Sequence, residues 1–314
     1  MNVAIGVLTF RRPERLRQLI PQLIDQIEQV HDAYGPEEYD CVVVVVDNDP
    51  SASAHEVAAT YAGGRVSYHV EARAGISAAR NRVLDETRSM DLLVFIDDDE
   101  TPHDLWLVKL LETHDVWNAD LVAGPVVSQA DGVMSPFVTA GAFLDRSHRA
   151  GLRTGDPILR AATNNLLLDL RKVRAAELRF DDRFGLGGGE DSMFTGSLAR
   201  AGARLVWCAE AVVTDHVPPD RLTARYVVGR AYSMSNAAAL VELGLCRSRR
   251  ETWTRRLAMT GRETTRLILG VALLARGLLT WSLPHRAKGL HSLARAFGVL
   301  AGVVGHRALA YRRS

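Results

Sequence analysis

Short runs of apolar, mostly β-branched residues alternate with helically spaced apolar positions through the first half of the chain. Four runs predict strands, at residues 3–9, 41–47, 66–70 and 92–97. Three helical patterns lie between these strands. The first begins at Pro13, and the other two cover about residues 53–61 and 76–88. The run at 3–9 is too short and too uncharged at its front for a signal peptide, so we take it as the first strand. This alternation predicts a doubly wound, mostly parallel sheet with right-handed crossovers.

The second half of the chain has a mixed pattern. Further strands are predicted at 123–128, 164–169 and 212–219, with a long, loop-rich stretch at 129–160. A glycine-rich loop at 185–191 opens a helix, and three more helices are predicted at 220–242, 251–282 and 286–311. The pattern therefore predicts an α/β domain over residues 1–220 and a helical region over residues 221–314.

Composition adds a charge asymmetry to this picture. The 314 residues are 47% hydrophobic and 24% charged, values of a globular chain that exclude a disordered one. The net charge of +1 hides a basic end, because residues 247–314 hold 14 of the 38 Arg and Lys residues and only Glu251 and Glu263 as acids. A basic segment of this kind is expected to meet an anionic partner. The three cysteines (Cys41, Cys208, Cys246) show no paired metal-ligand spacing and favour a reducing compartment.

The basic end also contains an apolar stretch. Residues 267–283 are interrupted by Arg276 and are shorter than the roughly 20 apolar residues that a spanning helix needs. The next helix has an apolar face beside arginines, which is typical of a helix lying in an anionic membrane interface. We therefore expect a cytoplasmic protein that is peripheral to the inner face of the cell membrane. The alternative is a helical hairpin packed on the catalytic domain or on a second copy in a homodimer.

Three polar residues stand at the ends of predicted parallel strands: Thr9, Asp47 and Asp97. Functional residues of doubly wound sheets gather beyond the carboxyl ends of the strands, so these three ends predict one shared crevice. Asp97 begins the acidic run 97–100. Adjacent carboxylates repel one another, and a Mg²⁺ or Mn²⁺ ion would offset that repulsion with one or two carboxylates and substrate phosphates as ligands. The alternative is an ordinary acidic loop before a helix.

Two other segments of the first half are open to a binding or a structural interpretation. The segment 47–49 could contact a nucleobase or ribose through Asp47, or form an Asx turn before Pro50. The segment 74–81 opens a helix with small residues and carries Arg80, which together could hold a diphosphate. Equally, its small residues could serve close packing of a helix on the sheet.

The glycine-rich loop and a histidine complete the candidate residues. Glu190 and Asp191 stand at the start of a helix, where the helix dipole favours an ionised carboxylate suited to a general base. The alternative is an ordinary acidic helix start after a flexible loop. His216 becomes a plausible metal ligand only if the sheet brings it to Asp99.

Taken in order, these segments resemble the inverting family 2 glycosyltransferases of the GT-A fold. The resemblance covers about the first 230 residues and rests on TFRRPERL (9–16), VVDNDPS (45–51), GISAARN (75–81), FIDDDE (95–100), GGGED (187–191) and TDHVPPDRL (214–222). It implies a Rossmann-like, mostly parallel sheet flanked by helices, with the C-terminal helices as an appendage.

The resemblance also implies roles for residues. Thr9, Arg11, Asp47, Arg80, Asp97 and Asp98 would contact the nucleotide-sugar donor. The metal, Mn²⁺ or Mg²⁺, would be held by Asp99, Asp97 and His216, although three consecutive aspartates leave open which carboxylate is the direct ligand. Asp191 would be the general base, and Glu190 would orient the acceptor.

The implied reaction is a single displacement that moves a sugar from a nucleoside-diphosphate sugar, with UDP-sugars favoured, to a hydroxyl acceptor. That acceptor would be a glycan, a glycolipid or a natural product, including one linked to lipid, and bacterial polysaccharide biosynthesis is the expected setting. No nucleic acid is expected as a partner. Two other classes remain open: a sugar nucleotidyltransferase, which would need a glycine-rich, basic loop after the first strand, and a non-catalytic, membrane-associated binding protein that has kept the fold.

Overall fold

The first half of the chain folds in the predicted order of strands and helices. A computed structural model describes residues 1–61, 63–145, 151–185 and 187–308. Its first elements are β1 (Asn2–Thr9), α1 (Pro13–Tyr34), β2 (Asp40–Asp47), α2 (His55–Ala59), β3 (Val66–Val70), α3 (Ile76–Glu86) and β4 (Leu92–Asp97). All four strands and three helices predicted here are confirmed.

The middle of the chain contains more short elements than the sequence predicts. They are β5 (Glu100–Pro102), α4 (Trp106–Trp117), β6 (Leu121–Ala123), β7 (Val126–Ala130), α5 (Pro136–Gly141), β8 (Asn165–Asp169), α6 (Leu170–Ala175), α7 (Glu190–Arg200), β9 (Leu205–Trp207) and β10 (Val213–Val217). The single strand predicted at 123–128 is wrong, because the chain leaves one sheet at Gly124 and Pro125 and enters another. Only glycine fits at position 124, where a Cβ atom would lie 2.1 Å from the Ala211 carbonyl oxygen.

Seven strands form a mostly parallel sheet in the order β3-β2-β1-β4-β8-β6-β9. The strand β8 runs antiparallel to both of its neighbours, while the other pairs of neighbours in this sheet are parallel. A separate three-stranded sheet has the order β5-β10-β7. The predicted α/β fold with a Rossmann-like, mostly parallel central sheet is therefore confirmed.

Both faces of the seven-stranded sheet are covered by apolar side chains. Alternate residues of β2 enter opposite clusters: Val43 and Val45 pack with α1 and α4, and Val44 and Val46 pack with α3. Gly6 of β1 allows α3 to approach closely, since a Cβ atom there would lie 2.8 Å from Val83 Cγ1. This two-sided burial explains the continuous apolar runs of the parallel strands.

The chain divides into two compact units. The first comprises Met1–Val127, Arg146–Gly185 and Phe194–His216, and the second comprises Ser128–Asp145, Leu186–Met193 and Val217–Ser314. The second unit contains α8 (Ala224–Gly244), α9 (Arg249–Leu279) and α10 (Leu283–Val303), where α10 packs on both α8 and α9. The predicted last helix thus ends at Val303, and its predicted end at 311 lies outside the described residues. No helix in the described part of the chain is long and apolar enough to cross a membrane.

Candidate active site

The carboxyl ends of β1, β2 and β4 meet at one edge of the seven-stranded sheet. Strand pairing places Thr9 opposite Asp47, and it places Leu8 opposite Asp97. The three strand ends that the sequence singled out therefore lie side by side, as predicted. Thr9 also links β1 to the end of β4, because its hydroxyl donates a 2.8 Å hydrogen bond to Asp98 Oδ2.

The end of β2 is organised by internal hydrogen bonds. Asp47 is fully buried, and its carboxylate accepts from the backbone N–H groups of Asp49 (3.0 Å) and Ala54 (2.9 Å) and from the Tyr68 hydroxyl (2.8 Å). A carboxylate with this many internal donors stabilises the loop that follows the strand. Contact between Asp47 and a nucleobase stays a prediction.

Asn48 fixes the approach to α3. Its amide nitrogen donates to the carbonyl oxygens of Glu71 (2.8 Å) and Arg73 (2.7 Å), and its side-chain oxygen accepts from the backbone N–H of Gly75 (3.1 Å). Gly75 has φ +122°, a left-handed conformation that favours glycine. The N–H groups of Gly75 and Ile76 both donate within the protein, the second to the Gly185 carbonyl oxygen at 3.2 Å.

The end of β4 is an acidic turn, Asp97–Glu100. Glu100 closes this turn, because its carboxylate accepts from the Asp97 N–H (3.0 Å) and from the Asn164 amide (2.7 Å). Arg12 bridges two of the other carboxylates, with Nη1 donating to Asp98 Oδ1 (3.1 Å) and to Asp99 Oδ2 (3.0 Å). The turn is therefore held by polar contacts within itself and from two other segments of the chain.

Negative charge is crowded at the acidic turn. Burial, and then the carboxylates of Asp99 and Asp98, raise the pKa of Asp97 to about 7, although the Arg80 guanidinium opposes this rise. Burial also raises the pKa of Asp98, and burial together with Asp97 raises the pKa of Glu100 well above its usual range. Asp215 of β10 adds a further carboxylate, since β10 pairs with β5 so that Asp215 faces Glu100. Such a cluster favours an added cation.

Three arginines lie at this edge of the sheet. Arg80 on α3 is buried, with its guanidinium 5.6 Å from the centre of the Phe180 ring and in electrostatic reach of Asp97. Arg11 has φ +54°, a strained conformation for a non-glycine residue, and its Nε lies 3.4 Å from Asp49 Oδ2. Arg12 follows directly and turns toward the acidic turn. The loop between β1 and α1 therefore places Arg11 beside the end of β2 and Arg12 beside the end of β4.

Sequence reasoning missed four residues of this region: Arg12, Asn48, Glu100 and Asp215. Glu100 belongs to the acidic run and Arg12 stands next to Arg11, so their types and positions were visible signals. The contact of Arg12 with Asp98 spans 86 residues of sequence, and no local pattern predicts it. Asp215 reaches Glu100 only through the pairing of β10 with β5.

The donor atoms at the acidic turn fit a divalent cation that is shared with a substrate. Within the described residues, no three His, Cys, Asp or Glu side chains converge on a point that could hold a metal ion. Mg²⁺ commonly takes only one or two carboxylates and completes its shell with substrate phosphates and waters. Asp99 and Asp97 could supply those carboxylates, and the excess of carboxylates over arginines around them supports the fit.

His216 is brought to the acidic turn by its backbone. Its N–H donates to the Asp99 carbonyl oxygen at 3.0 Å, and its ring Nε2 lies 3.1 Å from the Thr101 hydroxyl. The condition set from the sequence, that the sheet must bring His216 to Asp99, is met. Its role as a metal ligand stays a prediction.

Glu190 and Asp191 lie in the second unit, at the start of α7. Glu190 is buried, and Asp191 is half-buried with Oδ1 accepting from the Ser192 N–H at 2.5 Å. The preceding Gly189 has φ +95°, and a Cβ atom there would lie 3.1 Å from Val241 of α8. Position 189 of the loop therefore requires glycine for its backbone conformation and for its close approach to α8.

Comparisons with known proteins agree with this fold. Residues 4–144 match the family model described as glycosyl transferase family 2. The succinoglycan biosynthesis protein ExoM of Rhizobium meliloti (strain 1021) is 29% identical over an alignment of 315 positions, which covers 97% of this chain and 94% of that protein.

The similar solved structures include TarS of S. aureus. The structure of TarS 1-349 in complex with UDP-GlcNAc has a TM-score of 0.55 and 14% identity, and the match covers 95% of this chain and 90% of that one. Another TarS structure has a TM-score of 0.53 and 14% identity. That match covers 95% of this chain and 55% of the TarS chain. At these identities, the similarity to TarS concerns the fold.

Proposed function

We propose that this chain, which belongs to the family 2 glycosyltransferases with a GT-A fold, transfers a sugar from a UDP-sugar to a hydroxyl group of a glycan with inversion at the anomeric carbon. The observation that carries the proposal is the crowding of carboxylates in the acidic turn beside the buried Arg80. A site with this arrangement suits a diphosphate that arrives with a divalent cation.

Donor binding is proposed at the shared edge of β1, β2 and β4. Thr9, Arg11 and Asp98 would line the nucleotide side of this edge, and Arg80 would face the diphosphate. Asp47 has its oxygens committed to internal donors, so it would act by holding the loop after β2. The preference for a uridine nucleotide is supported by the complexes of TarS with UDP-GlcNAc and with UDP, two structures of one protein that has the same fold as this chain.

Metal assistance belongs to the same proposal. Asp99 and Asp97 would hold Mn²⁺ or Mg²⁺. His216 would join them as a ligand only if its ring gave up the contact with the Thr101 hydroxyl. When bound, the cation would supply positive charge beside the leaving diphosphate. Arg80 would add a fixed positive charge from the protein, and its burial makes that charge more effective than it would be in water.

Asp191 is proposed as the general base. The acceptor oxygen would form a bond to the anomeric carbon while the bond from that carbon to the diphosphate oxygen breaks, and the acceptor proton would pass to Asp191. The position of Asp191 at the start of α7 supports this role, because a helix N-terminus stabilises the ionised carboxylate. Glu190, one residue earlier and buried, would orient the acceptor.

The proposed class of acceptor rests on the similarity to ExoM and not on the geometry of the site. ExoM is named for succinoglycan biosynthesis, so we propose polysaccharide assembly as the setting and a sugar hydroxyl as the attacking group. An acceptor linked to lipid would be compatible with this setting.

The proposal is tested first by offering the purified chain a panel of nucleotide sugars with and without Mn²⁺. A donor that binds should raise the melting temperature by mass action, and only with the metal present. The product of a transferring donor should have the opposite anomeric configuration, seen by NMR. Formation of nucleotide sugar from a nucleoside triphosphate and a sugar phosphate would instead identify a nucleotidyltransferase.

The base is tested by Asp191→Asn, which removes the proton acceptor and keeps the size of the side chain. Turnover should fall by roughly 10²–10⁴-fold while donor binding stays close to that of the unmodified chain. Asp182→Asn, an exposed aspartate elsewhere, is the matched control and should keep full turnover. Near-normal turnover in Asp191→Asn would remove Asp191 from the role.

A further inference from the structure

The second half of α9 and the turn after it carry a strip of exposed apolar side chains. This apolar strip consists of Ile268, Leu269, Val271, Leu278, Leu279 and Trp281, each with 57–84% of its surface exposed. Scattered apolar residues are normal on a protein surface, but a large group of them along one helix marks an interaction site.

The strip is not needed for packing α9 on α10. The contact side of α9 carries small residues, because a Cβ atom on Gly270 would lie 3.0 Å from Leu293 and one on Gly277 would lie 2.6 Å from the Arg286 nitrogen. On α10, Gly289 comes equally close, with a Cβ atom there 2.7 Å from the Leu274 nitrogen. The hairpin is thus joined through glycines, and the large apolar side chains of the strip point away from this contact.

The same two helices carry an excess of positive charge. The two acidic residues of 247–314 are both used internally: Glu251 accepts from the Arg247 N–H at 2.8 Å, and the fully buried Glu263 pairs with Arg262 at 2.9 Å and with Arg266. Arg276, Lys288 and Arg295 are exposed and form no ion pair within the described residues, and we call these residues the basic group.

We propose that the hairpin of α9 and α10 docks on an anionic membrane interface. The apolar strip would enter the boundary between headgroups and acyl chains, and the basic group would contact anionic headgroups. Arg276 lies within the strip, and its long stem allows the guanidinium to reach the headgroups while the neighbouring side chains stay in the apolar layer. The helix α9 would lie in the plane of the interface.

Charge decides between lipid and the other candidate for this surface, a second copy of the chain. Pairing two copies through these helices would bring two strongly basic segments together, and like charges across an interface cost several kcal/mol. An anionic bilayer complements the same charges, so we assign the surface to lipid. This inference does not depend on sugar transfer, and its test needs no donor.

The experiment measures binding of the full chain to vesicles of phosphatidylcholine with and without phosphatidylglycerol, by co-sedimentation. The unmodified chain should bind the anionic vesicles, and binding should weaken as salt is added. The triple variant Arg276→Glu, Lys288→Glu, Arg295→Glu should bind about 100-fold more weakly, since each cation near the surface contributes about a factor of five. The double variant Leu279→Ser, Trp281→Ser should also lose binding, because its apolar anchors are gone.

Matched controls come from the first unit. Val116→Ser changes an apolar side chain that is 72% exposed on α4, and Arg17→Glu reverses an exposed charge on α1. Both controls should bind vesicles like the unmodified chain. Equal binding to both kinds of vesicle, or loss of binding in the controls alone, would overturn the proposal. So would an unmodified chain that ignores vesicles and dimerises in the ultracentrifuge through the apolar strip.

Discussion

The carboxyl ends of β2 and β4 lie on either side of β1 in the same sheet, and both are rich in carboxylates. At the end of β2, the buried Asp47 accepts three hydrogen bonds from groups that have no charge. At the end of β4, Asp97 and Glu100 are surrounded by other carboxylates, and burial raises the pKa of both. Asp99 and Asp98 raise the pKa of Asp97 further, and Asp97 raises that of Glu100. The carboxylates at the two strand ends are therefore in opposite electrostatic environments: hydrogen-bond donors surround Asp47, and other carboxylates surround Asp97 and Glu100.

The difference predicts a structural role for the acid at the end of β2 and a role in ligand binding for the acids at the end of β4. A buried carboxylate with enough donors is stable in the protein alone, so the end of β2 gains nothing from a ligand charge. Crowded carboxylates are stabilised by an added cation, and the acidic turn is therefore the end that should respond to metal and diphosphate. Burial alone would not make this distinction, because both ends contain buried acids.

Replacing one aspartate at each strand end should show the largest difference between the two ends in turnover and in stability. The change at the end of β4 is Asp99→Ala. This change should lower turnover by at least about 100-fold, because it removes a proposed metal ligand. Its effect on the free energy of unfolding should stay within about 1 kcal/mol, since the Asp99 partner Arg12 is 41% exposed and exposed ion pairs contribute little. Calorimetry with UDP and Mn²⁺ checks the loss of binding. Unchanged, metal-dependent nucleotide affinity would contradict the assignment of Asp99.

The matched change at the other end is Asp47→Ala. It leaves the N–H groups of Asp49 and Ala54 and the Tyr68 hydroxyl without their acceptor, at about 1–3 kcal/mol for each buried group left unpaired. We expect the free energy of unfolding in urea to fall by about 3 kcal/mol or more. Unchanged stability with lost nucleotide binding would instead support the direct contact with the base that the sequence predicts.

The sequence was sufficient to predict the shared edge but not the interactions made there. Parallel strands bring their carboxyl ends together, so a polar residue after each apolar run was enough to group Thr9, Asp47 and Asp97. The antiparallel insertion of β8 beside β4 and the pairing of β5 with β10 depend on contacts between distant segments, such as Thr101 with His216, 115 residues apart. No local pattern specifies such partners.

Arg12 offers a finer test of the charge at the acidic turn. In Arg12→Gln, the carboxylates of Asp98 and Asp99 lose the guanidinium that bridges them at 3.1 and 3.0 Å. Without donor, Mn²⁺ should then bind roughly fivefold more tightly, since the metal no longer competes with a neighbouring cation, an effect of about 1 kcal/mol. Electron paramagnetic resonance of free Mn²⁺ measures the change, and Arg17→Gln on α1 is the control. Weaker Mn²⁺ binding in Arg12→Gln would mean that Arg12 positions the carboxylates instead of competing for them.

The smallest effect is expected from Glu100→Gln, and its sign depends on pH. Burial and Asp97 raise the pKa of Glu100 above its ordinary value of 4.5, so the folded chain retains a proton that the unfolded chain releases. The free energy of unfolding should therefore fall as pH rises from 4.5 toward the folded pKa.

Glutamine has no such proton to lose, and rotation of the Asn164 amide can satisfy its NH₂ group. In EDTA, Glu100→Gln should match the unmodified chain near pH 4 and exceed its stability by about 1 kcal/mol at pH 8, measured by thermal unfolding. A variant that is less stable at every pH would show that the ionised carboxylate is part of the fold, and the acidic turn would then resemble the end of β2.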